Sequence, residues 1–330
     1  MRVVVTGGAG FIGSHTVDLL LQQGFDVIVL DNLSTGSREN LPQDVRLVVR
    51  DVRDPGLAGL FREIRPDAVV HLAAQVSVAR SVANPLEDAQ INIEGLLNVA
   101  KALDACGGGR LVFSSSAAVY GSNPNFPLQE EEPVQPTSPY GIAKAAGEMY
   151  LRSLSQGVDG QKAGWDFVIL RYANVYGPRQ SVAGEAGVVA AFAWRLAEGK
   201  MPVIYGDGSQ TRDFVFVEDV ARANLAALTV PCAGGMLCNI SSQQDISILG
   251  LLELMIQAAK SLRMAPWHAQ AGPVVPAFGP PRPGDLCASL LDRTRAQKVL
   301  NWCPRVSLPD GLSKTLEWFR HRQERSRLAI

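Results

Sequence analysis

The chain has 330 residues, 47% of them apolar and 19% charged, with a formal net charge of −1. Such a composition belongs to a soluble globular protein long enough for a sizeable core, and its charge balance gives no footprint for nucleic acid or an anionic membrane. The five cysteines (Cys106, Cys232, Cys238, Cys287, Cys303) form no Cys-x-x-Cys pair, and no apolar run approaches the ~20 residues of a membrane span, so a reduced, cytoplasmic protein without a cleaved leader is expected.

Arg2–Thr6 reads as a buried strand, Phe11–Gln23 as a helix and Asp26–Asp31 as a second strand. Val45–Arg50, Ala68–Leu72, Arg110–Ser114 and Phe167–Arg171 continue the strand series, with helices over Pro55–Ile64, Glu87–Cys106 and Pro139–Ser155. This alternation predicts an α/β fold, a Rossmann-type doubly wound parallel sheet covered on both faces, with ligands beyond the carboxyl ends of the strands. After about Gly177 the rhythm changes: a helix over Val188–Glu198, short strands at Val203–Tyr205 and Thr211–Val217, and a helix over Glu218–Leu228. The reading is a cofactor domain over residues 1–177, to which a helix near 216–229 returns, and a smaller α/β substrate domain over 178–330. Gln156–Gly164 reads as a surface loop, Ala265–Pro283 as irregular structure rich in Pro and Gly, and the basic tail from Arg320 as a frayed helix end.

Gly7, Gly10 and Gly13 follow the first strand and open the first helix. In that order they permit a tight turn, close backbone approach to a pyrophosphate, and helix–strand packing, with the helix N-terminus facing the phosphates. Asp31 ends the next strand, where a carboxylate accepts from both ribose hydroxyls and repels a 2′-phosphate, which favours NAD over NADP; Arg38, the one nearby cation, reads as a solvated loop residue. Asp51 and Val52 stand where an adenine would lie, and Leu72, Ala73 and Ala74 end a strand with small residues against which a cofactor can rest. Asn92 is read as a weaker cofactor contact, or a polar surface residue.

Downstream, Tyr140 and Lys144 are four residues apart and share one helix face, with Ser138 as N-cap and Pro139 at the first helical position. A free Tyr has a pKa of ~10. The Lys144 ammonium and a nicotinamide cation would both favour the phenolate, and Ser116 could bridge it to a substrate alcohol.

Several segments together resemble the extended short-chain dehydrogenases/reductases, and within them the UDP-glucose 4-epimerase group. They are Thr6–Gly13, Asp31–Leu33, His71–Ala74, Ser114–Gly121, Tyr140–Lys144, Arg171–Gln180, Gly206–Phe214 and Arg282–Asp285. The resemblance implies bound NAD, touching Phe11, Ile12, Asn32 and Tyr172 as well as the residues above. It implies Ser116, Tyr140 and Lys144 as the catalytic set, and Asn174, Arg212, Arg282 and Asp285 around a nucleotide diphosphate, the arginines on phosphate and Asp285 on the uridine ribose. Val188, Val203 and Tyr205 would line the uracil pocket.

Related 4,6-dehydratases carry an Asp-Glu pair at Ala117-Ala118, and related decarboxylases a Glu at Ala118. Two alanines supply no second acid or base, which leaves 4-epimerisation of a UDP-hexose through a 4-keto sugar. Ser289 stands where members restricted to glucose and galactose carry a Tyr, which opens the pocket to a 2-N-acetyl group. The motifs are also compatible with a UDP-glucuronate 4-epimerase or a nucleotide-sugar reductase, and more distantly with a cofactor-sensing scaffold on the same fold. The resemblance further implies a homodimer built on the Glu87–Cys106 and Pro139–Ser155 helices, whose small residues (Gly95, Ala100, Ala143, Ala146, Gly147) would permit close approach between protomers, or else packing within the chain. No metal ligand set is read.

Overall fold

The structure is a computed structural model and describes residues 1–156, 163–182, 187–231, 235–269, 276–281 and 284–328. Most of the Gln156–Gly164 loop, part of the Ala265–Pro283 segment, Cys232 and Arg282 therefore lie outside the described residues.

The first half alternates as β1 (Arg2–Thr6), α1 (Phe11–Gln22), β2 (Asp26–Asp31), β3 (Arg46–Val49), α2 (Leu57–Ile64) and β4 (Ala68–His71). It continues as α3 (Val78–Ala83), α4 (Pro85–Ala89), a π-helical turn (Gln90–Glu94), α5 (Gly95–Asp104), β5 (Gly109–Ser116), α6 (Pro139–Gln156) and β6 (Trp165–Tyr172). The second half runs β7 (Asn174–Tyr176), α7 (Val188–Ala197), β8 (Val203–Tyr205), β9 (Thr211–Phe216), α8 (Val217–Thr229), β10 (Met236–Ile240), β11 (Asp245–Ser247), α9 (Ile248–Ser261), β12 (Ala277–Gly279), α10 (Thr294–Leu300) and α11 (Leu308–Leu328).

Seven strands form a parallel sheet in the order β10-β6-β5-β4-β1-β2-β3. Its middle strands are continuous β-branched runs because both faces are covered: Val3, Val4, Val5, Val69 and Val70 are fully buried. The chain reverses direction across the sheet between β1 and β4, which opens a crevice at their carboxyl ends. α1 and α8 cover one face, with Asn224 Nδ2 donating to Thr16 Oγ1 (3.1 Å) between them. α2 and α5 cover the other, packing Phe61, Leu96 and Val99.

Two elements beyond Gly177 rejoin the sheet side. α8 packs beside α1, and β10, which had no counterpart among the expected strands, pairs with β6. β10 carries Asn239 at a fully buried position, which hides its strand pattern; the side chain is satisfied by Tyr120 Oη (2.7 Å) and by Leu128 O (2.9 Å). The rest of the second half packs α7, α9 and α11 around Phe192, Met255, Leu316 and Phe319, beside a small β11-β9-β7 sheet.

The Ala265–Pro283 segment is less irregular than its composition suggests. Trp267 is buried and its Nε1 donates to Leu196 O (2.8 Å), and Ala277–Gly279, which contains no proline, forms β12 in parallel with β8. Cys106, Cys238, Cys287 and Cys303 are free thiols. No described helix is long and apolar enough to cross a membrane.

Candidate active site

The glycines of the β1–α1 turn are fixed by contacts with different neighbours. Gly7 has φ +67°, and a Cβ there would sit 2.7 Å from Ala73 N. A Cβ on Gly13 would lie 2.1 Å from Gly7 O, so only glycine lets α1 start this close to the turn. Gly10 is the open one: only Gly7 O, at 3.2 Å, would come within 4 Å of its Cβ. Phe11 and Ile12 follow as the first helical residues, and the first turn of α1 carries no acidic side chain. A cradle without Cβ atoms, at an uncompensated positive helix end, fits a pyrophosphate.

Asp31 closes β2 beside this turn. Its Oδ2 accepts from Ala9 N (2.9 Å) and its Oδ1 from Leu33 N (2.8 Å), while burial pushes its pKa up. Each oxygen keeps acceptor capacity for a ribose hydroxyl. Arg38 is a partly exposed loop residue, as expected, and its guanidinium donates within its own loop, to Pro42 O (2.7 Å) and Gln43 O (2.6 Å). Asn32 donates to Asp51 Oδ2 (2.8 Å), and the Arg53 guanidinium on both oxygens of Asp51 holds that carboxyl well below its usual range. Val52 is buried against Gly95, where an added Cβ would approach it to 2.7 Å.

Beyond β4, Ala73 N donates to Thr6 Oγ1 (3.3 Å), which holds the Leu72-Ala73-Ala74 backbone against the glycine turn. Asn92 is neither a surface residue nor aimed outward. It is buried in the π-helical turn, its Oδ1 accepts from Gln75 N (2.9 Å), and its Nδ2 donates to Gln75 O (2.9 Å) and Asp88 Oδ1 (3.0 Å). Both donors are engaged within the protein, so its geometry is that of a residue positioning the strand β4 exit loop.

The three residues expected to do chemistry meet at the end of β5. Ser138 Oγ accepts from Gly141 N (3.2 Å) and caps α6. Tyr140 is half-buried in the first turn of α6, with the Ser116 hydroxyl beside its phenol; Ser116 Oγ accepts from Ala118 N (3.2 Å). Lys144 is buried; its Nζ donates to Ser114 O (2.8 Å) and lies 5.0 Å from the Phe113 ring centroid and 5.9 Å from that of Tyr140. Burial brings the Lys144 ammonium down to about 8, against the pull of Asp88 and Glu148. The expected lowering of the Tyr140 phenol is not present in the protein by itself. Burial raises it, the neighbouring Ser116 hydroxyl works in the other direction, and the Asp88 carboxylate adds to the rise. Tyr172 pairs with Ser116 across the sheet and donates to Asn224 Oδ1 (2.6 Å).

On the substrate side, Arg212 lies on β9. Its guanidinium donates to Thr211 O (2.8 Å) and is ion-paired with Asp285. Guanidinium and carboxylate, expected on separate parts of one ligand, thus neutralise each other here. The Cys287–Leu291 segment runs alongside β9, with Thr211 N donating to Cys287 O (2.9 Å) and Asp213 N to Ser289 O (3.0 Å), which buries Ser289. Asn174 is exposed on β7, Val188 opens α7 half-buried, and Val203 and Tyr205 lie on β8, with Tyr205 exposed.

Residues 3–240 match the NAD dependent epimerase/dehydratase family. The chain belongs to that family. It is 43% identical over 330 residues to a UDP-glucose 4-epimerase of Mycolicibacterium smegmatis, spanning 98% of this chain and 100% of that one. A solved UDP-glucose 4-epimerase of Thermotoga maritima, with UDP-glucose, superposes with a TM-score of 0.90 at 42% identity, covering 98% and 100% of the two chains. A Thermus thermophilus UDP-glucose 4-epimerase, in complex with NAD, gives 0.85 at 42% identity, covering 97% and 99%.

Sequence reasoning gave no role to His71, Asp88 or Glu148, all buried around Lys144. His71 shares a hydrogen bond with Thr6 Oγ1 (2.8 Å), and burial beside Lys144 lowers its imidazole to about 3. Asp88 stands four residues before Asn92, a spacing that places both on one helix face and was a usable signal.

Proposed function

We propose that the protein is an NAD-dependent isomerase that interconverts UDP-glucose and UDP-galactose by inverting C4 of the hexose. The observation that carries this reading is the Ser116–Tyr140–Lys144 set beside the glycine cradle, with Ala117 and Ala118 as its neighbours. That set can move one proton and offers no second acid or base for dehydration or decarboxylation.

NAD, held by the glycine turn, Asp31 and the β4 exit loop, supplies a reversible hydride acceptor when bound. Tyr140 takes the proton of the 4-hydroxyl and later returns it, Ser116 orients that hydroxyl, and Lys144 stabilises the phenolate. Arg212 and Arg282 grip the diphosphate so that the 4-keto sugar alone turns over, and Asp285 leaves Arg212 for the ribose as the nucleotide enters. Asn174 also contacts the diphosphate, with Val188, Val203 and Tyr205 around uracil. In this reading residues 1–177 hold the cofactor and 178–330 the nucleotide sugar, with α8 and β10 lent back to the first part.

One observation favours a second substrate. Ser289 lies beside β9, and a side chain this small sets no bulky ring against a 2-N-acetyl group. The test is to incubate purified protein, with no cofactor added, with UDP-galactose, UDP-N-acetylgalactosamine and UDP-galacturonate, and to resolve the 4-epimers by proton NMR. Conversion of UDP-galactose is expected; no conversion of any, even with NAD supplied, overturns the reading.

The same reading makes the protein a cytoplasmic homodimer. Its contact surface is the apolar face of α3, α4 and α6, where Val82, Leu86, Ile142, Met149 and Leu154 are exposed. Of the two uses read for the small residues, four of the five show packing within the chain. Gly95 lies against Val52, and Gly147 faces Leu96 and Phe113, where an added Cβ would come to 2.8 and 2.9 Å. Ala100 and Ala143 are buried as well, so these residues close the chain on its own sheet.

A further inference from the structure

Three consecutive residues of β5 meet one face of α6. Ser114 O accepts from Lys144 Nζ (2.8 Å), Ser115 Oγ donates to Glu148 Oε1 (2.5 Å), and the Ser116 hydroxyl stands beside Tyr140. Tyr140, Lys144 and Glu148 are spaced by four residues, so one helical stripe carries all three. Glu148 differs from the other two in reaching beyond β5. Arg171, on β6 and in register with Ser115, donates to it through Nε (2.8 Å) and Nη2 (2.6 Å). Arg171 in turn donates to Glu130 O (3.3 Å) and stacks on Tyr120, its guanidinium carbon 4.6 Å from the ring centroid. Both members of the ion pair are buried, with side chains 2% and 4% exposed.

A buried ion pair is a weak stabiliser, because an apolar pair of equal volume does as well or better. A bidentate pair does fix geometry, since its two parallel bonds permit only one approach. We infer that Glu148 is a positioning residue: clamped by Arg171 and Ser115, it locks α6 in register on β5 and so sets Tyr140 and Lys144 against Ser116. This rests on the epimerase reading above. Its charge has a second effect. Lys144 is faced by Asp88 from α4, by Glu148 and Tyr140 from its own helix, by Phe113 from β5, and by the neutral His71 from β4. Glu148 is thus one of two carboxylates that keep the ammonium charged in a buried setting.

The experiment uses full-length protein carrying Glu148→Gln, Glu148→Asp or Ser115→Ala, each checked by thermal melting. Two quantities are read: kcat and KM for UDP-galactose across pH, and the titration of Lys144 by NMR of 13C-labelled lysine, assigned with Lys144→Met. Glu148→Gln is expected to lower kcat on the order of tenfold to a hundredfold with KM within about twofold. It also moves the Lys144 titration to lower pH, because one of the two carboxylates is gone. Glu148→Asp keeps the charge and shortens the arm, so kcat falls while the Lys144 titration stays near its wild-type position. A lower melting temperature with kcat per folded molecule and Lys144 titration unchanged makes the pair merely structural and overturns the inference. Should Glu148→Gln fail to fold, Ser115→Ala decides: it leaves Arg171–Glu148 intact and releases β5, so kcat falls severalfold at constant KM, and an unchanged kcat overturns the inference. A wild-type protein inactive on every UDP-hexose refutes the epimerase reading instead, while the Lys144 titration still reports on the charge.

Discussion

Replacing Lys144 with methionine removes one positive charge and keeps the length of the side chain. The ammonium lies 5.9 Å from the centroid of the Tyr140 ring. At about 6 Å and an effective dielectric of about 20, a unit charge is worth about 2.8 kcal/mol, or about two pKa units on the phenol. The sign is upward, since a cation favours the phenolate, and it adds to the rise that burial already imposes on Tyr140. At neutral pH kcat should therefore fall about a hundredfold. The pH dependence should change in kind as well. Burial brings Lys144 down to about 8, so wild-type activity declines as pH rises through that value and the ammonium is lost. The variant has no ammonium to lose, and its residual activity climbs with pH as the phenol ionises. The assay is kcat for UDP-galactose from about pH 6 to about pH 10, on either side of the Lys144 titration near 8. A variant whose kcat at neutral pH matched wild type, or whose activity still fell as pH rose through about 8, would refute the electrostatic argument.

Three further outcomes follow from separate contacts. Gly13→Ala places a Cβ 2.1 Å from Gly7 O, and the helix shift needed to relieve it costs about 1–3 kcal/mol or more; the variant should melt lower and carry less NAD when denatured and assayed, and wild-type occupancy would contradict the cradle. Ser289→Tyr sets a bulky ring beside β9, so turnover of UDP-N-acetylgalactosamine should drop far more than that of UDP-galactose, and equal losses would place the sugar elsewhere. Met149→Glu combined with Leu154→Glu puts charges on the exposed α6 face and should give a folded monomer in sedimentation; an unchanged dimer would move the contact surface away from α6.

The cofactor half was legible because its constraints are local in sequence. Parallel strands buried on both faces must be apolar runs, as Val3–Val5 are, and a turn that permits no Cβ at Gly7 or Gly13 must be written in glycine. β10 was not legible because its buried Asn239 is satisfied by Tyr120 and Leu128, more than a hundred residues away. Gly95 and Gly147 announced close approach, but a missing Cβ does not say to what. The answer, Val52 for one and Leu96 with Phe113 for the other, is tertiary. Asn92 raised a similar difficulty: an amide on a helix reads as polar surface until the Gln75 backbone and Asp88 are found to occupy it.

The phenol of Tyr140 marks where sequence motif and structure part company most usefully. A Tyr-x-x-x-Lys spacing suggests a base made reactive by its lysine, yet the protein's own groups push the phenol up, and Lys144 itself is held near 8. Tyr140 is therefore protonated in the resting protein, and Ser116 and Lys144 can only limit how far it is from ionising. Asp88 opposes ionisation of the phenol while supporting the ammonium, so one carboxylate acts on Tyr140 and Lys144 in opposite senses. An arrangement of this kind keeps the base silent until a further positive charge arrives next to it. In the epimerase reading a nicotinamide ring, which carries that charge only in its oxidised form, would supply it, so that Tyr140 would act as a base only beside a cofactor able to accept hydride.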